Sequence, residues 1–185
     1  MAQALIFVAD GHEEVEMLTV VDMVRRAGIS IDMVSITDSY EVTSSHKVTL
    51  KTDKLISEVN FDEADMIILP GGIPGTPNLA ACKTLTDKII EFNEKGKMLA
   101  AVCAAPTIFA GLGLLGGRKA TCYPDMAEKL TGADYVKQPV VVDTNIITSR
   151  GMGTCIEFAG AIITKLKDEA TAELVKKKII YNDEY

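Results

Sequence analysis

Histidine is scarce in this sequence. Its 185 residues hold two, His12 and His46, and both precede the most informative cysteine, Cys103. Paired cysteines are missing as well. Cys82, Cys103, Cys122 and Cys155 are widely scattered and form no CxxC, so neither a disulfide framework nor a zinc site is expected, and a reducing, cytoplasmic setting fits best. No apolar run approaches the roughly 18 residues of a membrane span, which argues against a membrane partner. Met1-Ala2-Gln3 leads straight into a strand, with neither a basic leader nor a cleavage site, so no secretory signal is expected. Positive charge is nowhere concentrated beyond Lys176-Lys177-Lys178, on the polar face of a terminal helix, and the net charge is −7. Nucleic acid is therefore not an expected partner. There is no internal repeat, linker or low-complexity segment, and the length suits one domain over residues 1–185.

Apolar strands do alternate with amphipathic helical stretches nearly throughout, with 48% hydrophobic and 24% charged residues overall. That alternation predicts an α/β fold with a mostly parallel central sheet and helices on both faces. Ala4 to Ala9 reads as a buried strand, followed by a helix from about Glu13 to Ala27 that stops at Gly28. Ile29 to Ile36 reads as a second strand. Val42, Val48 and Leu50 suggest short strands, possible partners in a hairpin, with Leu55-Ile56 in a turn. Met66–Leu69 is a central strand halted by Pro70-Gly71-Gly72. Leu85, Ile89 and Phe92 share one face of a helix expected from about Asn78 to Lys95. Strand pieces are expected at Lys119–Cys122, Val140–Val142 and Ile146–Thr148, and helices around Ile156–Leu166 and Asp168–Ile179.

Cys103 ends the apolar run Met98-Leu99-Ala100-Ala101-Val102 and opens the small-residue stretch Ala104-Ala105-Pro106-Thr107. A strand that stops at a cysteine and turns at once into a helix has the layout of a nucleophile elbow. The following N–H groups and the helix's positive end favour a thiolate there, titrating well below the roughly 8.5 of a free cysteine. The other reading, a buried core cysteine, is the commoner fate of a Cys in an apolar run, and local sequence does not separate the two.

In a parallel sheet the chemistry collects beyond the carboxyl ends of the central strands, which would bring together the loops Asp10–Glu16, Pro70–Gly75 and Cys103–Pro106. The N–H groups of Gly72 and Ala104 are candidates for an oxyanion hole, although Gly71-Gly72 is equally a simple β-turn. Acidic residues suit any first helical turn, but Glu16 shares the inward face with Val20 and Val24. A carboxyl group there needs a partner or must hold its proton, and a protonated carboxyl hydrogen-bonding a Cys103 thiolate would answer that cost. Cys82, Cys122 and Cys155 read as structural. His12 and His46 read as residues of solvated loops, and Arg150 as a structural ion-pair residue.

Taken in order, Ala9-Asp10-Gly11-His12-Glu13-Glu14-Val15-Glu16, Val21-Asp22-Met23-Val24-Arg25-Arg26-Ala27-Gly28, Leu69-Pro70-Gly71-Gly72, Ala100-Ala101-Val102-Cys103-Ala104-Ala105-Pro106 and Ile147-Thr148-Ser149-Arg150-Gly151-Met152-Gly153-Thr154 resemble the ThiJ/PfpI superfamily, in the branch of the parkinsonism-associated deglycase. The resemblance implies a flavodoxin-like three-layer sandwich and a homodimer. It puts Cys103 in the place of an oxidation-prone nucleophile and Glu16 in that of its protonated glutamate partner. Gly72 and Ala104 take the places of the backbone donors. It also implies a cofactor-free glyoxalase III or deglycase acting on methylglyoxal and related small reactive carbonyls, with no metal. Relatives are described too as oxidative-stress sensors and chaperones.

Two departures stand out. Tyr123 replaces a histidine that many relatives carry near the nucleophile, and His46 stands where relatives often have a pocket arginine. The peptidase-like branch needs a histidine where Ala104 stands, and glutamine amidotransferases need one after Cys103, where this chain has none. Both readings weaken accordingly.

Overall fold

The first strand shows why its sequence is continuously apolar. In β1 (Gln3–Val8), Ala4, Ile6 and Val8 enter one core while Leu5 and Phe7 enter another on the opposite face. A strand covered on both sides has no solvent face on which to place polar residues. The computed structural model describes residues 2–182.

In chain order, β1 is followed by α1 (Glu14–Arg26), β2 (Ser30–Ser35), β3 (Glu41–Thr43), β4 (Thr49–Lys51), β5 (Lys54–Leu55) and β6 (Met66–Leu69). Then come α2 (Gly75–Ala81), α3 (Lys83–Glu94), β7 (Met98–Val102), α4 (Pro106–Gly111), β8 (Lys119–Ala120) and β9 (Asp134–Tyr135). The rest is β10 (Val140–Asp143), β11 (Ile146–Ser149), α5 (Cys155–Leu166) and α6 (Glu169–Lys178). The main sheet has the order β10-β11-β7-β6-β1-β2-β5. All its pairings are parallel except β10 with β11. Residues of α1, α5 and α6 cover one face, and residues of α2, α3 and α4 cover the other.

The chain leaves β1 toward β2 on one side and returns to β6 on the other, so the connections diverge beside β1. That reversal opens a crevice beyond the strands' carboxyl ends, where ligands of such sheets bind. The loops after β1 and β6 are tied together there: the Glu13 N–H donates to the Gly71 carbonyl at 3.0 Å, and the Gly75 N–H donates to the Gly11 carbonyl at 3.0 Å.

Some elements differ from their sequence patterns. The single helix expected from about Asn78 to Lys95 is two, broken at Cys82, which has extended backbone angles (φ −76°, ψ 98°). Leu79 and Leu85 are both fully buried, yet six positions place them about 120° apart on a continuous helix. The break resets the phase so that both face the sheet. Cys82 therefore caps a helix instead of lying within one. The strand expected over Lys119–Cys122 is only Lys119–Ala120, paired with Asp134–Tyr135 outside the main sheet. Val42 and Leu50 do pair across an antiparallel hairpin, whereas Leu55, expected in a turn, ends the edge strand β5.

Candidate functional site

Cys103 follows β7 directly and has φ = 63°. A residue with a Cβ is strained in that left-handed region, by something on the order of 1–3 kcal/mol. The surroundings hold it there. The Cys103 N–H donates to the Ser149 carbonyl at 3.0 Å, the Tyr123 N–H donates to the Cys103 carbonyl at 2.8 Å, and the Ala105 N–H donates to the Val102 carbonyl at 3.0 Å. Pro106 then starts α4 with its φ already set. This is the elbow geometry, with the side chain part-exposed above the sheet. The helix that follows has six residues, so the individual N–H groups of the turn, more than a helix dipole, act on the sulfur.

Glu16, on the first turn of α1, is 1% exposed. Its Oε2 accepts the Gly71 N–H at 2.8 Å, and its carboxyl is hydrogen-bonded to the Cys103 side chain. Burial pushes the carboxyl up to about 7, against the pull of the Gly71 N–H. Burial, with the neighbouring Glu16 charge, pushes the Cys103 thiol up to about 12, while the Ala104 and Gly72 N–H groups act to lower it. The expectation of a low thiol value counted these donors; desolvation and the carboxylate oppose them.

Two acids in contact lose their protons in steps that belong to the pair. One step lies at about 7 and the other at about 12, so over a broad span the pair carries one negative charge. Sulfur accepts two N–H donors and is part-exposed, whereas the carboxylate accepts one and is buried. The donors and the exposure favour the charge on sulfur, whereas the Gly71 N–H favours it on the carboxylate.

The two glycines before α2 make this contact possible. A Cβ on Gly71 would stand 2.6 Å from the Cys103 Cβ and 2.7 Å from Glu16 Oε2. Gly72 has φ = +94°, and a Cβ there would lie 2.4 Å from the Glu13 nitrogen.

A family model described as "DJ-1/PfpI family" matches residues 2–165. The chain belongs to the DJ-1/PfpI family. It is 40% identical over 164 residues to protein DJ-1 homolog B of Arabidopsis thaliana, covering 88% of this chain and 37% of that protein. This chain therefore spans about two fifths of the length of that plant relative and of DJ-1 homolog A. It is 30% identical over 167 residues to the glutathione-independent glyoxalase DJR-1.2 of Caenorhabditis elegans, covering 89% of this chain and 88% of that one. The structure of oxidized DJ-1 from Toxoplasma gondii superposes with a TM-score of 0.94 at 33% identity, covering 98% of this chain and 100% of that one.

The other residues singled out by sequence fall at different distances from this DJ-1/PfpI-type centre. Tyr123 is 45% exposed at its rim. A Cβ on Gly151 would lie 3.7 Å from Tyr123 Cδ2, 3.8 Å from Glu16 Oε1 and 3.9 Å from Cys103 Sγ, so the bare glycine leaves an opening between ring, acid and thiol. Gly151 is the site residue that sequence reasoning missed, while Gly71, read there as part of a tight turn, makes room for the acid and the thiol. The signal for Gly151 was a glycine soon after the buried strand β11.

His46 is exposed on the β3–β4 hairpin, with Nδ1 3.2 Å from Glu14 and 3.4 Å from Glu13, outside the groups bonded to the sulfur. Glu14 raises its pKa. Among the described residues, Glu13, Glu14 and His46 alone form a three-ligand group, with ligand atoms within 4.8 Å of one another. The ion pair accounts for their approach.

His12 is not on a solvated loop but fully buried. Its Nδ1–H donates to the Ala9 carbonyl at 2.9 Å, its own carbonyl accepts from the hairpin residue Ser45, and burial lowers its pKa. Arg150 reaches the Tyr135 hydroxyl at 3.3 Å instead of a carboxylate. Cys122 and Cys155 are buried, and burial raises both thiols.

The side of the pair that holds the charge is open to test by alkylation of Cys103 with iodoacetamide against pH, read by peptide mass spectrometry. The wild-type rate is expected to rise with a midpoint near the first step of about 7. In Glu16→Leu, which removes the donor, the midpoint should move to higher pH. A midpoint that falls in that variant would put the charge on the carboxylate and leave Cys103 a thiol.

Proposed function

We propose that this protein is a cofactor-free glyoxalase that converts methylglyoxal, or another small 2-oxoaldehyde, to the 2-hydroxy acid. The observation that carries the reading is the Cys103–Glu16 hydrogen bond with two backbone N–H groups aimed at the same sulfur. The name of the nematode relative supports the same class of chemistry.

The Cys103 thiolate adds to the aldehyde carbon and its charge passes to the carbonyl oxygen. The sulfur, now neutral, no longer needs the Gly72 and Ala104 N–H groups, and they are free to hold the new oxyanion. Glu16 gives its proton to that oxygen, forming a hemithioacetal and leaving a carboxylate. The carboxylate removes the hydrogen from the same carbon, giving an enediol, and returns it to the neighbouring carbon. The hydroxyl proton moves to the second oxygen, which leaves a thioester of the 2-hydroxy acid. Water cleaves the thioester and restores the thiolate, its hydroxyl going to the acyl carbon and its other proton to Glu16. Substrate and one water account for the product, so no external oxidant or reductant is needed. The Tyr123 hydroxyl, at the rim of the site, is suited to donating a hydrogen bond to a substrate oxygen.

Metal-free protein is expected to form lactate from methylglyoxal, with activity lost in Cys103→Ser. In Glu16→Gln, turnover should fall by about 10²-fold, as when a general acid–base is removed, while peroxide still oxidises Cys103. Turnover in Glu16→Gln equal to wild type would remove Glu16 from the mechanism. A second reading, an oxidative-stress sensor or chaperone, uses the same part-exposed thiolate and donors to form and hold a sulfinate. It is favoured if Glu16→Gln and wild type oxidise alike and neither yields lactate.

We also propose a cytoplasmic homodimer of single-domain subunits. Among the described residues no helix is long and apolar enough to cross a membrane. Val15 and Leu18 on α1 are 43% and 45% exposed, and Ile180 is 57% exposed. Leu18 and Ile180 line one groove with Met23 and Ile156. Apolar surface of that kind on the first helix suits an isologous interface. Light scattering at micromolar concentration should give twice the chain mass, and Leu18→Asp should shift it toward the monomer. A wild-type monomer would exclude this arrangement.

A further inference from the structure

A cleft of about 140 Å³ adjoins the candidate site. Its walls come from α2 (Thr76 and Ala80), α4 (Ile108), the short 3-10 helix after Tyr123 (Met126), and the residues Ile73 and Ala104. Ile73 directly follows Gly72, and the N–H groups of Gly72 and Ala104 are those that bond the Cys103 sulfur. The cleft therefore begins where the sulfur's donors end. Lys129, its one charged wall residue, is exposed and keeps its head in water.

We propose that this cleft is the subsite for the substituent of a 2-oxoaldehyde, and that it selects an apolar group of phenyl or isobutyl size over the methyl of methylglyoxal. The proposal rests on the glyoxalase reading for its substrate class. A carbonyl carbon bonded to Cys103 Sγ and an oxyanion held by Gly72 and Ala104 leave the substituent to run along Ile73 and Ala104. A methyl group leaves most of 140 Å³ unfilled, whereas a phenyl or isobutyl group removes apolar wall from water along its length. One well-filled apolar pocket discriminates by about 10-fold or more.

The test compares kcat/KM for phenylglyoxal and methylglyoxal in wild type, Ala80→Phe and Met126→Ala. In the same three proteins it compares alkylation of Cys103 by N-benzyl iodoacetamide and by iodoacetamide. Wild type should favour the larger reagent of each pair by about 10-fold. Ala80→Phe, which fills the cleft from an exposed helix position, should abolish that preference. Met126→Ala should weaken the preference by loosening the wall. If no glyoxal is turned over, the glyoxalase reading fails, and the alkylation ratio alone decides the cleft. Ratios near one in wild type, or ratios that Ala80→Phe does not change, overturn the subsite whether or not lactate is formed.

Discussion

A carboxyl group and a thiol share one buried hydrogen bond at the end of the sheet, and most of the local structure exists to make that contact tolerable. Glu16 is nearly without solvent, so as an isolated carboxylate it would oppose folding. Beside Cys103 and the Gly71 N–H it has partners in either protonation state. The strained backbone of Cys103, the absence of a Cβ at Gly71 and the positive φ of Gly72 all bring donors and acceptors to that one point. None of them has an evident purpose in packing alone.

The sheet supplies the rigidity this requires. β6 and β7 run side by side in parallel register, with Leu69 opposite Ala101, so the loops that follow them leave at the same level. β11 pairs with β7, placing Ser149 opposite Val102. This is why the Ser149 carbonyl can fix the Cys103 N–H and why Gly151 arrives over the thiol. α1 is pressed on the sheet by Met17, Val20 and Val24, all fully buried, and the same helical phase turns Glu16 inward. A change that rotated α1 by one residue would remove the acid from the site without touching the cysteine.

Much of this was legible in the chain because it is written in short-range patterns. The run from Met98 into Cys103 marked a strand ending in a turn, and the spacing of Glu16 to Val20 and Val24 gave its direction. What escaped depends on contacts between distant segments. Gly71 matters because of a Cβ it does not have, facing residues 55 and 32 positions away. His12 looked solvated because its loop is short and polar, but the hairpin and α2 close over it. The helix break at Cys82 follows from two buried leucines that one continuous helix cannot satisfy. The influences on the cysteine were visible only in part for the same reason: donors next in sequence could be read, while burial and the charge of an acid 87 positions earlier could not.

The chemistry of the site turns on where the proton of the Cys103–Glu16 pair resides once the pair has lost its first one. Carbon-13 NMR of the Glu16 carboxyl carbon and the Cys103 Cβ, followed through the step at about 7, reports that directly. The Cys103 Cβ is predicted to shift to its thiolate position while the Glu16 carboxyl carbon stays at the value of the protonated acid. A Glu16 carbon that titrates through this step, with the Cys103 Cβ unmoved, would contradict the account.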